Sequence, residues 1–210
     1  MIRRVWDISQ ILRPGLPVWP GDTGFAFERT WRMDDGSPVN VGRMTMSTHS
    51  GTHADAPLHY SADGADAATM PLDPYIGECI VVDARGLSDS EIDVADLPHI
   101  DSADRILFRT YETFPHDAWR SDFTAISANA VEWLAVQGVV LIGTDAPSLD
   151  PQESKTMDAH KMVLKHDMRI LEGLVLDDVP EGRYELIALP LKIAGGDAGL
   201  CRAILRELEA

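Results

Sequence analysis

Residues 49–59 read His49-Ser50-Gly51-Thr52-His53-Ala54-Asp55-Ala56-Pro57-Leu58-His59 and contain three of the chain's seven histidines. Gly51 and Pro57 disfavour a helix across this run, and a strand pattern leads into it from Val41. Residues of equal parity share one face of an extended strand, so the three histidines and Asp55 would project to the same side. The run therefore predicts a strand that continues from Val41 and carries a cluster of imidazole and carboxylate groups.

The composition of this cluster predicts a divalent metal site. A single histidine in a folded protein usually makes one hydrogen bond in the core or at the surface. Several such groups on one face would be costly to bury without a counter-ion, whereas a divalent cation satisfies them together. Imidazole and carboxylate ligands without cysteine favour a catalytic Zn²⁺, Mn²⁺ or related ion over a structural zinc site.

A second pair of candidate ligands lies downstream. Within a predicted helix over residues 156–165, His160 shares the apolar face with Met157 and Leu164 and should point inward. Glu172 is the one acid in the apolar run 170–175. Each residue alone is compatible with an ordinary structural role, as an inward histidine or an edge-strand glutamate. Together they could complete a two-metal site in which Asp55 and Glu172 bridge the ions.

Among the remaining polar and aromatic side chains, Trp19 is the one best suited to contact a ligand. It lies in a rigid loop over residues 14–24, which holds three prolines and three glycines. Its ring could stack on a planar ligand or pack the loop onto the core, and the sequence favours neither. His99, His116 and His166 are interpreted as non-catalytic, because they lie in acidic or proline-containing loops or near a helix end.

The segments around these residues predict a mixed α/β or α+β fold. Short β-branched, aliphatic or alternating runs predict strands at residues 5–9, 25–33, 41–48, 79–83, 106–109, 139–142 and 184–189. Helices are predicted at residues 128–137, 156–165 and 200–208, and Ser127 caps the first. Without a linker or a repeat, residues 1–210 are expected to form one domain.

The charge and cysteine content narrow the possible partners and location. The chain has 34 acidic and 18 basic residues, for a net charge of −16, which disfavours nucleic acid and anionic membranes as partners. Cys79 and Cys201 suggest no disulfide framework. The N-terminal residues do not resemble a secretory signal, and the longest apolar stretch, residues 133–143, is too short to cross a bilayer. These features predict a cytoplasmic protein with a small-molecule substrate and no membrane association.

The run at residues 49–59 also resembles the H-x-G-T-H-x-D-x-P-x-H signature of the metal-dependent cyclase-like hydrolases. The resemblance extends to PVWPGDT (17–23), APLHY (56–60), LIGTDAPSLDP (141–151), TMDAH (156–160) and LEG (171–173), and so covers nearly the whole chain. These further segments are similar to those of family members that act on N-formyl-L-kynurenine. After Asp197 the family pattern reads Ala-Ser-Pro-Val, but this chain has Ala198-Gly199-Leu200-Cys201, a departure that affects local loop contacts and no ligand.

The resemblance implies a specific division of roles. It implies two metal sites that share one carboxylate, the first made of His49, His53 and Asp55 and the second of Asp55, His160 and Glu172. It also implies that His59 is the acid/base and that Trp19 contacts the substrate. The fold implied is a single-domain swivelling β/α/β fold with a mixed sheet, usually found as a homodimer with two zinc ions.

The activity implied is hydrolysis of N-formyl-L-kynurenine to L-kynurenine and formate. Metal-activated water would attack the formyl carbon, and His59 would return a proton to the departing aryl amine. Two alternatives remain open on sequence alone. One is a related metallohydrolase such as an isatin hydrolase, and the other is a metal-dependent binder of small molecules that has lost its chemistry.

Overall fold

The largest sheet of the molecule combines strands from both ends of the chain. The computed structural model describes residues 3–34, 36–88, 90–98 and 102–209. Its strands, in chain order, are β1 (Val5–Asp7), β2 (Ala26–Trp31), β3 (Val41–Thr45), β4 (His53–Asp55), β5 (Ile76–Asp83), β6 (Glu91–Ile92), β7 (Arg105–Arg109), β8 (Ala125–Ile126), β9 (Leu141–Thr144), β10 (Arg169–Glu172), β11 (Gly182–Ile187), β12 (Ala198–Leu200) and β13 (Ile204–Arg206). The α-helices are α1 (Ala128–Val136) and α2 (Asp158–Lys165).

Nine of these strands form one mixed sheet, in the order β1-β13-β11-β5-β7-β9-β10-β4-β12. The four strands β5, β7, β9 and β10 are parallel, and antiparallel strands extend the sheet on both sides. Two smaller sheets consist of the hairpin β2-β3 and the pair β6-β8. The predicted mixed α/β class is therefore confirmed.

Alternate residues of the central strands feed two separate hydrophobic cores. On β7, Leu107 belongs to one core, while Ile106 and Phe108 belong to the other. The second core also contains the inward residues of α1 and α2, so both helices cover that face of the sheet. At the start of α1, the Ser127 hydroxyl accepts a hydrogen bond from the Ala130 amide at 3.0 Å, as expected for a helix cap. The first two predicted helices are thus confirmed, with small shifts at their ends.

The prediction of a third helix over residues 200–208 is wrong. The segment contains the last residue of β12, which pairs with β4, and the whole of β13, which pairs with both β1 and β11. These pairings join residues far apart in the sequence, and such tertiary contacts override a local helical preference. The Ala198–Leu200 segment, which departs from the family pattern, is therefore a strand that closes one edge of the sheet.

The predicted continuous strand from Val41 through the histidine run is also wrong. Strand β3 ends at Thr45 and, within the described residues, pairs only with β2; every residue of these two strands is exposed. A turn follows, in which the Ser50 amide donates to the Ser47 carbonyl at 3.2 Å. Gly51 then adopts φ 72°, a left-handed conformation that favours glycine, before β4 begins.

Both cysteines are buried and free, in agreement with the absence of a predicted disulfide. Burial raises the pKa of the Cys79 and Cys201 thiols to about 12, so neither is a reactive thiolate. Among residues 3–34, 36–88, 90–98 and 102–209, no helix combines the length and apolar character that a membrane span requires.

Candidate active site

The register between β4 and β10 brings three of the predicted ligands to one face of the sheet. The strands run antiparallel, with Glu172 opposite His53 and Ile170 opposite Asp55. Directly opposed residues share a face, so His53, Asp55 and Glu172 all project toward the side covered by α2. The intervening Ala54 and Leu171 point into the other core. Strict alternation along two short strands thus separates the polar cluster from the apolar core.

His49 and His59 reach the same place from outside the sheet. His49 lies in the turn before Gly51, and His59 ends the short 3₁₀ helix Pro57–His59. Their ring centroids are 4.1 Å apart, and the His59 ring is 6.0 Å from that of His160. The predicted grouping of the three histidines is therefore found, although it results from a turn, a strand and a 3₁₀ helix.

Helix α2 supplies His160, and the side chain of Asp150 fixes the orientation of this histidine. The Asp150 carboxylate accepts hydrogen bonds from the Ala159 and His160 amides at the start of α2, at 3.0 and 3.1 Å. The same carboxylate lies 2.5 Å from Nδ1 of His160. Because Nδ1 is engaged by Asp150, Nε2 of His160 is directed toward the carboxylates of Asp55 and Glu172.

The two central carboxylates each face histidines on both sides. Oδ1 of Asp55 lies 3.1 Å from His49 Nδ1 and 3.3 Å from His53 Nε2, while Oδ2 lies 3.3 Å from His160 Nε2. Glu172 repeats the arrangement, with Oε2 at 3.5 Å from His53 Nε2 and Oε1 at 3.6 Å from His160 Nε2. Its Oε1 also accepts a hydrogen bond from the Leu149 amide at 3.0 Å. Through these two carboxylates, all five predicted ligand side chains belong to one connected cluster.

The donor set fits divalent metal ions. Several buried atoms have no partner with hydrogen-bond geometry among the described residues; they include His49 Nε2, His53 Nε2 and both carboxylate oxygens of Asp55. Leaving such atoms unpaired in a protein interior costs about 1–3 kcal/mol each. Two ligand atoms at about 2.1 Å from a tetrahedral ion are about 3.4 Å apart, close to the 3.1–3.6 Å separations of these nitrogens and oxygens. A cation shared by these atoms accounts for both observations.

The electrostatics of the cluster also favour positive charge. Burial lowers the pKa values of His53 and His160, but the adjacent carboxylates outweigh it and raise both pKa values above their usual range. Burial alone would raise the pKa of Asp55, but the three surrounding imidazoles hold this pKa well below its ordinary value. The carboxylates thus stabilise any cation in the cluster, whether a proton or a metal ion.

His59 has a different environment from the other histidines of the cluster. Its pKa is lowered, mainly by burial, against the opposing attraction of the Asp55 carboxylate. Among the described residues, no carboxylate oxygen lies within ion-pair distance of its ring nitrogens. A neutral imidazole beside the cluster can accept a proton and later return it.

A cavity of about 780 Å³ opens onto the cluster. Trp19 lines it and is 36% exposed, with its ring centroid 5.4 Å from that of Trp119 in an edge-on arrangement. The ring packs against another aromatic and also faces the cavity, a position compatible with both sequence-based interpretations of Trp19. Its exposed surface can contact the planar part of a ligand.

Two acidic residues near the cluster were missed by sequence reasoning. Asp150 orients His160, as described above, and Oδ2 of Asp197 lies 3.2 Å from His49 Nε2. Asp197 is also fixed by a 2.7 Å hydrogen bond from the Thr48 hydroxyl. Asp150 ends a segment rich in buried residues, which is a weak signal, but Asp197 reaches the site only through the pairing of β12 with β4.

The remaining histidines lie apart from this cluster or outside the described residues. His116 packs against Phe114, with ring centroids 5.0 Å apart, and His166 follows the end of α2, where Nε2 is 3.7 Å from Glu132. Neither lines the cavity. His99 falls outside the described residues.

Solved structures with this fold include other hydrolases. One, described as a "potential metal-dependent hydrolase with cyclase activity", matches with a TM-score of 0.85 and 32% identity, covering 100% of both chains. Isatin hydrolase A from Ralstonia solanacearum matches with a TM-score of 0.84 and 25% identity, covering 98% of this chain and 92% of that one.

Sequence comparisons identify the family. A family model named Cyclase, described as "Putative cyclase", matches residues 6–151. A curated relative, the kynurenine formamidase of Erythrobacter litoralis (strain HTCC2594), is 82% identical over 206 residues, which cover 98% of this chain and 95% of the relative. The family model matches more than half of the chain, and the relative matches nearly all of it. The chain therefore belongs to the Cyclase family.

Proposed function

We propose that this protein is a metal-dependent hydrolase that converts N-formyl-L-kynurenine to L-kynurenine and formate. The observation that carries the proposal is the pair Asp55 and Glu172, each facing histidines on two sides, in a cluster onto which a cavity opens. The kynurenine formamidase of Erythrobacter litoralis, at 82% identity over nearly the full length, supports this substrate.

In this proposal the cluster holds two divalent ions. His49, His53 and Asp55 would hold the first, and Asp55, His160 and Glu172 would hold the second. Zn²⁺ is the ion we propose and Mn²⁺ the alternative, because the donors are imidazole and carboxylate groups without thiolates. When bound, the ions supply Lewis-acid activation of water and of the formyl oxygen.

His59 is the residue we propose for proton transfer. Hydrolysis breaks the bond between the formyl carbon and the aryl nitrogen, forms a bond from that carbon to a water oxygen, and requires a proton on the departing nitrogen. His59 is beside the cluster, and its lowered pKa keeps the imidazole neutral and able to accept a proton from water. It then donates that proton to the amine.

Trp19 is the residue we propose for contact with the arene of the substrate. Its ring lines the cavity that opens onto the cluster, and Trp119 supports it from the side. An aromatic wall at this position holds a planar aryl group while the formyl group reaches the cluster.

A turnover assay before and after chelation tests the proposal. The purified protein is expected to release formate and L-kynurenine from N-formyl-L-kynurenine, to lose this activity when chelated and dialysed, and to regain it with added Zn²⁺ or Mn²⁺. Full activity in metal-free protein would refute metal dependence. Absence of turnover in metal-loaded protein would refute the substrate.

The two rival functions are less well supported. The isatin hydrolase from Ralstonia solanacearum shares the fold at 25% identity, far below the 82% of the kynurenine formamidase relative. Parallel assays with isatin and N-formyl-L-kynurenine distinguish the two activities. A binder that has lost its chemistry would not require His59 beside five intact ligand side chains, and turnover of any aryl formamide would exclude it.

We also propose that residues 1–210 act as one domain and assemble as a homodimer. Strand β1, near the N-terminus, pairs with β13, near the C-terminus, so one sheet joins both ends of the described chain. The β2-β3 hairpin presents large apolar side chains to solvent, including Phe27, Trp31 and Met44, and such groups are typical of protein interfaces. Mass measurement in solution tests the dimer.

A cytoplasmic location is the final part of this proposal. Two buried cysteines without a disulfide fit a reducing compartment. Fractionation of cells that produce the protein tests this, and recovery outside the cytoplasmic fraction would contradict it.

A further inference from the structure

The cavity above the cluster has a distinctive distribution of positive charge. Lys155 and Lys161 line it, and among the described residues its wall contains no arginine. The whole chain has four lysines and a net charge of −16, so two of its lysines are at this one cavity. In a protein with such an excess of acidic groups, this concentration points to an anionic group on the ligand.

Neither of these lysines is neutralised by a neighbouring acid. In the described part of the chain, Lys165 pairs with Glu132, with 2.6 Å between its ammonium nitrogen and a carboxylate oxygen. Lys155 and Lys161 have no described carboxylate oxygen within 4.0 Å of their ammonium nitrogens. Both of the latter side chains line the cavity and are exposed, so they can be reached from solvent. They are available to a carboxylate that enters from solvent.

The positions of these lysines are tied to the catalytic cluster. Lys161 follows His160 directly on α2, so its backbone is fixed by the same helix. Lys155 lies in the connection between Asp150 and α2, where the Ser154 amide donates to the Pro151 carbonyl at 2.9 Å and the Met157 amide donates to the Ser154 hydroxyl at 3.1 Å. These bonds keep Lys155 beside the same opening.

We propose that Lys155 and Lys161 bind the α-carboxylate of the substrate and thereby select amino-acid formamides over simple aryl formamides. This inference rests on the proposed function, since it assigns the end of N-formyl-L-kynurenine that the metal ligands and Trp19 leave uncontacted. In that substrate the arene, a ketone and a methylene group separate the formyl group from the amino-acid end. With the formyl group at the cluster and the arene along Trp19, the carboxylate points toward the open side of the cavity.

The test compares two substrates in the metal-loaded protein. One is N-formyl-L-kynurenine, and the other is ortho-formamidoacetophenone, which keeps the aryl formamide and the ketone but lacks the amino-acid group. The double variant Lys155→Met, Lys161→Met is expected to raise KM for N-formyl-L-kynurenine by roughly tenfold to a hundredfold, as for loss of a charge-assisted hydrogen bond, with little change in kcat. With ortho-formamidoacetophenone, the kcat and KM of the double variant are expected to stay within about twofold of those of the unmodified protein.

Two further variants control for charge and folding. Lys192→Met removes an exposed lysine outside the cavity and is expected to leave both substrates unaffected. Lys155→Arg, Lys161→Arg keeps the positive charge and is expected to retain most of the preference for the amino-acid substrate. Metal content and circular dichroism of each variant show whether the cluster and the fold are intact.

The possible outcomes separate this inference from the proposed function. Equal effects of the double Met variant on both substrates, or no effect on either, would overturn the role of the lysines while the proposed function stands. Failure of the unmodified, metal-loaded protein to hydrolyse N-formyl-L-kynurenine would overturn the proposed function and this inference with it.

Discussion

Asp55 and His59 come from one short run of sequence but occupy different positions in the cluster. Both oxygens of Asp55 face imidazole nitrogens at 3.1–3.3 Å, whereas His59 lies beside the cluster with its ring against His49. We therefore expect His59→Ala to retain its metal and to lose turnover by roughly a hundredfold to ten-thousandfold. Asp55→Ala is expected to lose both metal and turnover. Metal analysis and measurement of kcat distinguish the two variants.

His116→Ala is the matched control, because this exposed histidine does not line the cavity. It is expected to keep both metal and turnover. If His59→Ala and Asp55→Ala lost metal to the same extent, the assignment of His59 to proton transfer would be wrong.

Asp150 controls the orientation of His160 and should therefore control metal affinity. Its carboxylate contacts Nδ1 of His160 at 2.5 Å and two amides at the start of α2. Partners of this kind fix a ligating imidazole, and their loss typically reduces metal affinity about tenfold to a hundredfold. We expect Asp150→Asn to show a reduction of this size by competition with a chelator.

Asp158→Asn provides the control for Asp150→Asn. The Asp158 carboxylate lies in the first turn of the same helix but accepts its hydrogen bond from Thr156, at 2.8 Å. The metal affinity of Asp158→Asn should stay close to that of the unmodified protein. A similar loss in both variants would indicate a general effect on α2 instead of a specific effect on His160.

The sequence predicts the side chains of the cluster well when they lie close together along the chain and less well when folding brings them together. His49, His53 and Asp55 are separated by a few residues, so their chemistry is visible in one motif. Glu172 is visible because a lone acid stands out in an apolar run. Asp197 carries no comparable local signal, since its contact with His49 depends on the pairing of two strands distant in sequence.

The 3₁₀ helix Pro57–His59 depends on a close approach at Gly64. A β-carbon added to Gly64 would lie 2.3 Å from the carbonyl carbon of Pro57 and 2.6 Å from the Leu58 amide nitrogen. Since both neighbours are backbone atoms, Gly64→Ala must displace the segment that carries His59. We expect unfolding in urea to show a loss of about 1–3 kcal/mol, and kcat to fall while metal content stays high.

Gly24→Ala is the corresponding control for an added methyl group. Apart from its two chain neighbours, no described residue has an atom within 4 Å of a β-carbon added at Gly24, and the backbone there is not in the left-handed region. Its stability is expected to change by less than about 0.5 kcal/mol. Normal stability and turnover in Gly64→Ala would show that the Pro57–His59 segment tolerates displacement.

The elements that local patterns predict well are those whose hydrogen bonds or packing are local. Helix α1 is visible in the sequence through its Ser127 cap and its apolar face. Residues 200–208 are rich in the helix formers leucine, arginine and glutamate, yet Ile204–Arg206 forms a strand between β1 and β11. Both partners lie far away in the sequence, so no local window contains the information that decides this segment.

The β2-β3 hairpin is the part of the molecule that the fold of one chain leaves uncovered. Its sequence alternates as a buried strand would, but all of its residues are exposed. Trp31 and Met44 are 59% and 51% exposed, respectively. Exposure of several large apolar groups is costly in water, and a second copy of the chain would cover them.

The proposed homodimer is therefore expected to depend on this hairpin. Introducing lysine at both sites, in Trp31→Lys, Met44→Lys, places charge in the apolar contact, and sedimentation analysis should then show a shift from dimer to monomer. Val136→Lys is the control, because Val136 is also exposed but lies at the end of α1, and it should leave the dimer intact. A monomeric unmodified protein would refute the dimer, and a dimeric double variant would refute the hairpin as its interface.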